Sequence, residues 1–224
     1  MIFAVTAALT LALSQAVPPP TAASPSPEIR FSFEHAQLDP AQYALVIRED
    51  GSGNYQSTPG PVSTSGSDGF ASTPQQRDIV VRDPLLASLF RTARGHHFFA
   101  IECEAPDSHV AFTGKKTVAY AGPDGRGKCT YNWSRDQQLN QLAEDMMAVA
   151  YTVYEGNRLA IMHTHSRLSL DSELENLQDA VKNHRALEIE NIAPELQSIA
   201  ADPAVMNRAR NRARALLNGG ASKH

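Results

Sequence analysis

Apolar and polar residues alternate along Glu28-Ile29-Arg30-Phe31-Ser32-Phe33. That period of two places every second side chain on one face, which predicts a half-buried strand. Tyr43-Ala44-Leu45-Val46-Ile47-Arg48 reads as the next strand, set off from the first by the break at Leu38-Asp39-Pro40. Glu49-Asp50-Gly51-Ser52-Gly53 turns the chain, and Asn54-Tyr55-Gln56-Ser57 is placed to pair back. Asp78-Ile79-Val80-Val81 is a further strand. Between these, Thr58 to Gln76 is rich in Ser, Thr, Gly and Pro, which predicts a connector that is disordered or laid on the surface. Asp83-Pro84 reads as a helix start, with Asp as N-cap and Pro at the first helical position. Leu85, Leu86, Leu89 and Phe90 give that helix one apolar face, and Gly95 reads as its stop.

The middle of the chain is again β-like. His97-Phe98-Phe99-Ala100-Ile101-Glu102-Cys103 is rich in aromatic and β-favouring residues, which predicts a short strand. Lys116 to Ala121 and Lys128 to Trp133 read as two more. Between them lies Gly122-Pro123-Asp124-Gly125-Arg126-Gly127, where the glycines permit positive φ and Asp-Gly is a hairpin signal. Residues 115–133 are therefore expected to form a β-hairpin with a moderately long tip.

After Trp133 the period changes. Ser134-Arg135-Asp136-Gln137 fits a capping box. Leu139, Leu142, Met146, Ala150 and Val153 recur at helical spacing, so 135–154 is expected to be a helix that ends at Gly156. Asn157 to Ser166 fits either a helix, through Leu159 and Met162, or a strand over 159–162. Ser169 or Asp171 starts another helix that runs to about Asn183, and 192–200 reads as a third. Asp202-Pro203 reads as the start of the last helix and Gly219-Gly220 as its end. The expected fold class is α+β: an N-terminal antiparallel β-sheet with one inserted helix, followed by a helical C-terminal half. The β-rich part covers 28–133 and the helical part 134–218.

Composition changes this picture mainly at the N-terminus. Ile2 to Leu13 is an apolar run followed by Ser14-Gln15-Ala16. The run is too short for a bilayer span, which takes about 20 apolar residues, and reads as a secretory leader cut after Ala16. No Lys or Arg precedes it. Val17 to Pro27 holds five prolines and reads as an extended tether. No later apolar run reaches spanning length, so no transmembrane helix is expected. A formal charge of −4 over 224 residues is too mild to imply nucleic acid or an anionic surface as partner. The address is therefore exported, periplasmic or extracellular, and there Cys103 and Cys129, the two cysteines of the chain, are expected to pair. The chain-entropy model values such a closed loop of about 26 residues at roughly 3–4 kcal/mol.

Candidate chemistry is sparse. His163-Thr164-His165 would present both imidazoles on one face of a strand, a geometry many zinc hydrolases use with a third ligand and a water-activating Glu. The stretch resembles the metal motif of JAMM-type metalloproteases, where a strand runs into His-x-His followed by a serine and an aspartate. That resemblance implies a metal-dependent hydrolase centred on His163 and His165, with zinc as cofactor. It departs from the motif at Ser166, where the family has proline, at Asp171, which comes too soon, and at Leu168, where a serine belongs. On a helix the two histidines diverge by about 200°.

His96 and His97, with His109 downstream, are expected to be surface residues. Glu144-Asp145 and Glu173/Glu175 read as a solvated helix face rather than a glycosidase pair. No Gly-x-Ser-x-Gly elbow occurs. Glycines 122–127 are a hairpin tip rather than a phosphate cradle, because no helix start follows them. Arg208, Arg210, Arg212 and Arg214 alternate on the last helix, so they fan round it. They are expected to pair with the acid-rich 134–202 region, a surface-binding role being the alternative. Asn132-Trp133-Ser134 matches a glycosylation acceptor, with Ser134 expected as a helix cap.

The start of the sheet, the Gly122-Pro123-Asp124-Gly125 hairpin with its Cys129-Thr130-Tyr131-Asn132 and the helical tail together resemble uncharacterised secreted proteins of acidobacteria. The resemblance implies export and no particular activity. The expectation is an exported, non-enzymatic binding or envelope-interaction domain without a cofactor, its partner an envelope or extracellular protein. The alternative is the hydrolase, which needs 157–166 to be a strand.

Overall fold

The structure is a computed structural model that describes residues 26–61, 73–105 and 110–221. Residues 1–25, which hold the expected leader and most of the expected tether, residues 62–72 of the connector, and His109 lie outside the described residues.

Six strands form one antiparallel sheet in the order β4-β3-β2-β1-β5-β6. They are β1 (Glu28–Glu34), β2 (Gln42–Arg48), β3 (Ser52–Thr58), β4 (Gln75–Val80), β5 (Lys115–Gly122) and β6 (Gly125–Tyr131). The alternation predicted for β1 is real: Ile29, Phe31 and Phe33 are buried, while Arg30 between them is exposed. The same inward set recurs as Leu45 and Ile47, Tyr55, Ile79, Val118 and Tyr120, and Tyr131. One face of the sheet thus carries the core and the other stays polar, as antiparallel sheets allow.

Helices α1 (Leu85–Gly95) and α2 (Gln137–His165) cover the apolar face. Leu139, Leu142, Met146, Val149 and Val153 of α2 join the sheet core. Its later turns turn their apolar residues elsewhere. Leu159 and Met162 belong to a second core built with α3 (Leu170–Lys182), α4 (Ala193–Ala201) and α5 (Asn207–Ala221). The architecture is α+β, with a sheet-and-helix layer and a helical cluster joined along one continuous helix.

That helix corrects the expectation of a stop at Gly156. At 29 residues it runs for about 43 Å, straight through the glycine. A Cβ at Gly156 would collide with the Ile192 side chain, and Arg77 Nη1 lies 3.6 Å away. The glycine marks a close approach of another segment, not an end.

The segment from His97 to Cys103 is not a strand. His97–Phe99 forms a single 3₁₀ turn, and φ is positive at 51°, 59° and 66° for His97, Phe98 and Phe99. Its neighbour on β6 explains this. Gly125 and Gly127 carry no side chains, and the space they leave is filled by the Phe98 ring and the backbone of 98–100. Phe98 also packs on Tyr120 at 5.0 Å between centroids, and Phe99 is fully buried. The aromatic residues are thus buried in a compact knot that packs on the inner face of the sheet, over the glycine positions of β6. Cys103 and Cys129 are bonded, with Cα atoms 5.8 Å apart. The bond fastens this coil to β6. Ala105 N–H donates to Trp133 O (2.9 Å), and the Glu104 carboxylate accepts from Asn132 N–H (2.6 Å), alongside it.

Other boundaries shift by a few residues. The hairpin tip is only Pro123-Asp124, because Gly122 and Gly125 still pair. Asp136, not Ser134, is the N-cap of α2, accepting from Gln138 and Leu139 N–H at 2.9 and 3.1 Å. Ser134 instead accepts from Asp136 N–H. Pro84 takes the N-cap position of α1, while the Asp83 carboxylate accepts from Ala87 N–H at 3.1 Å. The last helix starts at Asn207, since Asp202 closes a turn on Ala204 N–H (2.8 Å), and it runs past Gly219-Gly220.

Polar links bolt the sheet edge to the helical cluster. Arg77 on β4 makes a two-pronged pair with Glu195 on α4, at 2.7 and 3.1 Å. Asn191 imitates a neighbouring strand: its side chain accepts from Val80 N–H (2.8 Å) and donates to Val80 O (2.9 Å).

The glycines give a direct check. Gly156→Leu is expected to destabilise the protein by about 1–3 kcal/mol in urea titration, the usual penalty for overpacking. Gly219→Ala, with nothing within 4 Å of its Cβ, is expected to be neutral or stabilising by up to about 1 kcal/mol. A stabilising Gly156→Leu would mean that the helix crossing is not tight.

Candidate functional site

The residues singled out in the sequence are mostly committed to structure. Residues 157–165 are helical, because Leu159 and Met162 three positions apart both bury in the helical core. His163 and His165 therefore point in directions about 200° apart, and the two-histidine face that a metal site requires is not formed. His163 Nε2 lies 2.8 Å from Asp202 Oδ2, and His165 is exposed. Among the described residues, no group of three His, Cys, Asp or Glu side chains is close enough to hold a metal ion.

His96 is not a surface residue. Its side chain is 12% exposed, with Nε2 2.8 Å from Asp136 Oδ2 and Nδ1 2.9 Å from the Thr92 carbonyl. It ties the end of α1 to the N-cap of α2. His97 is exposed.

The arginines of α5 are engaged within the chain. Arg208 and Arg212 both hold the buried carboxylate of Asp171, and Arg212 also reaches Glu175 (2.9 Å) and Gln178 (2.9 Å). Arg210 pairs with Asn207, and Arg214 donates to Ala200 O at 2.8 Å. Asn132 of the acceptor-like triplet accepts from Thr113 N–H (2.7 Å) and donates to Ala111 O (3.1 Å). Of the carboxylates, Glu173 pairs with Arg158 (3.1 Å), Asp145 accepts from Gln141 (2.9 Å), and Glu144 is exposed. Burial pushes the Asp145 carboxyl up, against the hydrogen bond from Gln141.

What sequence reasoning missed is a cleft of about 760 Å³ between the sheet and the middle of α2. Its floor is Phe33 and the fully buried Tyr55, and its walls include Tyr43, Met147, Tyr151 and Tyr154. Four of the chain's six tyrosines line it. The helix supplies its side at helical spacing, with Gln141, Glu144, Met147, Tyr151 and Tyr154 three or four positions apart. The sheet supplies the other by register. Phe33 pairs across from Tyr43, and their rings stack at 5.3 Å, while Tyr43 and Tyr55 rings lie 6.3 Å apart. The loop at Leu38-Asp39-Pro40 closes one end, and Asn183, His184 and Arg185, just past α3, close the other.

The electrostatics are distinctive. Asp39 accepts from Gly60 N–H (3.0 Å) and from the Tyr154 hydroxyl (3.2 Å). Burial pushes Tyr55 and Tyr151 up to about 12, and raises Tyr43 further. All three phenols are therefore neutral at physiological pH. The Tyr55 hydroxyl is buried without a well-formed hydrogen bond, although Ser57 is near enough to hold its pKa back somewhat. A second cleft of about 800 Å³ between α1, α3 and α5 has charges of both signs around it, among them Arg91, Lys182, Asp145 and Glu188.

No protein-family model matches the chain, and a comparison with curated proteins finds no match. The clustering of tyrosines was the one available signal for the cleft. Tyr151 and Tyr154 share a helix face, but Tyr43 and Tyr55 reach them only through the tertiary fold.

Three carboxylates predict an acid limb of stability. Asp171 is held below the ordinary 3.8 first by Arg208, and Asp202 first by Ala204 N–H, with His163 next. At Asp136 burial works upward, but the N–H groups of Leu139 and Gln138 and His96 outweigh it. Groups lowered in the folded state stabilise above the unfolded value and lose that contribution as pH falls through the folded one. Stability is therefore expected to hold above about pH 4 and to fall below it. Asp171→Asn should lower the urea midpoint at neutral pH and flatten the acid limb. An unchanged limb would mean that the α3–α5 pairing does not contribute.

Proposed function

We propose that the chain is an exported, non-enzymatic binding domain whose ligand occupies the tyrosine-lined cleft. The cleft carries this reading. Its volume is that of small-ligand sites, and so is its composition: apolar and aromatic walls with a few fixed polar groups. Tyrosine supplies contact area and a hydrogen-bonding tip while losing little rotamer freedom. The bonded cysteines support export, since disulfides persist in oxidising compartments, and the leader-like Ile2 to Ala16 supports it independently. None of the described helices is long and apolar enough to cross a membrane. The proline-rich 17–27 segment suits a spacer between an envelope surface and the folded part, with an envelope or extracellular component as the source of the ligand.

Two measurements test this. The mature protein recovered from the producing cells is expected to begin at Val17, with both cysteines oxidised, by intact-mass spectrometry. A thermal-shift screen of small amphipathic compounds is expected to give ligands that raise Tm for the wild type and for Lys128→Ala, on the far face of the sheet, but not for Tyr151→Ala. Ligands that ignore Tyr151→Ala would move the site elsewhere, and retention of the leader in the cytoplasm would remove the export reading.

A further inference from the structure

We infer that the cleft takes an organic cation with a bulky, weakly hydrated head, a quaternary ammonium group. The inference rests on the cleft being the binding site and adds the class of ligand.

Aromatic ring faces carry negative charge density and attract cations placed within about 6 Å of the centroid. This chain uses that contact repeatedly. Arg94 stands over Phe90 and Tyr120, Lys116 over Tyr131, Arg135 over Trp133 and Arg158 over Tyr154, at 5.7–6.0 Å. Among the described residues, no cation stands over Tyr43 or Tyr151, the two partly exposed rings on opposite walls of the cleft.

The charges of the lining point the same way. Asp39 sits at one end and Glu144 on the helix wall. Glu144 has no ion pair among the described residues, while the basic groups nearby are matched by acids of their own. Arg185 pairs with Asp179 at 2.7 Å, and Arg158 lies between Glu155 and Glu173. His184 is the remaining titratable group of the rim. The phenols stay neutral because burial holds their protons on. The cleft therefore combines aromatic walls with one carboxylate at an end and one on the helix side, while the Arg185 charge at the other end is matched by Asp179.

Size and hydration select among cations. Calcium or magnesium needs about six or more oxygen ligands, and Asp39 and Glu144 are the two carboxylates of this lining. A primary ammonium is a compact, strongly hydrated charge and loses much on entering apolar surroundings. An alkylated ammonium keeps the positive charge with little bound water, and its apolar body suits a 760 Å³ cleft with apolar walls.

The test is isothermal titration of the mature, oxidised protein with choline and benzyltrimethylammonium, set against 3,3-dimethylbutanol, the uncharged carbon analogue of choline. Both cations are expected to bind, with the neutral analogue roughly tenfold weaker. Glu144→Gln, an exposed position, should keep the wild-type Tm and weaken cation binding several-fold. Tyr151→Phe should retain binding, and Tyr151→Leu should lose it. Binding of the neutral analogue as tight as choline would overturn the cation inference and leave the cleft as an apolar site. No binding of any of the three would overturn the cation inference, while the thermal-shift screen with Tyr151→Ala separately decides whether the cleft is a binding site. Vesicles distinguish the source. Retention on phosphatidylcholine vesicles, reversed by free choline, would assign the head group to a lipid, and choline binding without retention would assign it to a free solute. Retention on phosphatidylglycerol vesicles alone would overturn the inference in favour of an anionic surface.

Discussion

Helix α2 has to bury two different stretches of its length against two different layers, and the rest of the molecule follows from that constraint. Its first turns close the sheet core through Leu139, Met146 and Val153, and its last turns open the helical core through Leu159 and Met162. A single uninterrupted helix can do both only if the segment crossing it at the changeover comes very close. Gly156 permits that approach, and Ile192 makes it. Burial of this kind is worth about 25 cal/mol per Å² of apolar surface, so a few fully buried side chains together outweigh any one of the polar links around them. The two cores are therefore one mechanical unit.

Around this axis, polar contacts set orientation. Arg77 with Glu195 and Asn191 with Val80 hold the outer strand of the sheet against the helical cluster, and His96 with Asp136 fixes the entry angle of α2. On the opposite edge of the sheet the disulfide has the corresponding role. It holds the 97–105 coil against the inner face of β6, so the core is closed at that end of the sheet as well.

The cleft is a by-product of the same geometry. Where α2 leaves the sheet for the helical cluster, the sheet's inner face is no longer fully covered, and the aromatic residues there become walls instead of core. Phe33 and Tyr55 remain buried while Tyr43, Tyr151 and Tyr154 keep part of their surface. A recess formed in this way is apolar by origin. The carboxylates of Asp39 and Glu144 beside those rings are what the proposed ligand reading adds to it.

The local elements were legible because they depend on near neighbours. The period of two in Glu28–Glu34, the period of 3.6 after Asp136 and the Asp124-Gly125 hairpin each reflect sterics within a few residues, and all three are present. The pairing of Cys103 with Cys129 was legible from their number together with the expected export. Two features had the composition of one element and the outcome of another, and a third was left open. His97 to Cys103 has the residues of a strand but meets the bare glycines of β6. Gly156 has the character of a helix stop but meets Ile192. Residues 157–166 fitted strand or helix equally until the helical core claimed Leu159 and Met162. Local patterning by itself determined most of the strands and helices and that the fold is α+β. Only the tertiary structure decided where helices end, which histidines are engaged and that four distant tyrosines share a cleft, because those depend on contacts between residues from about forty to more than a hundred positions apart, which no local pattern encodes.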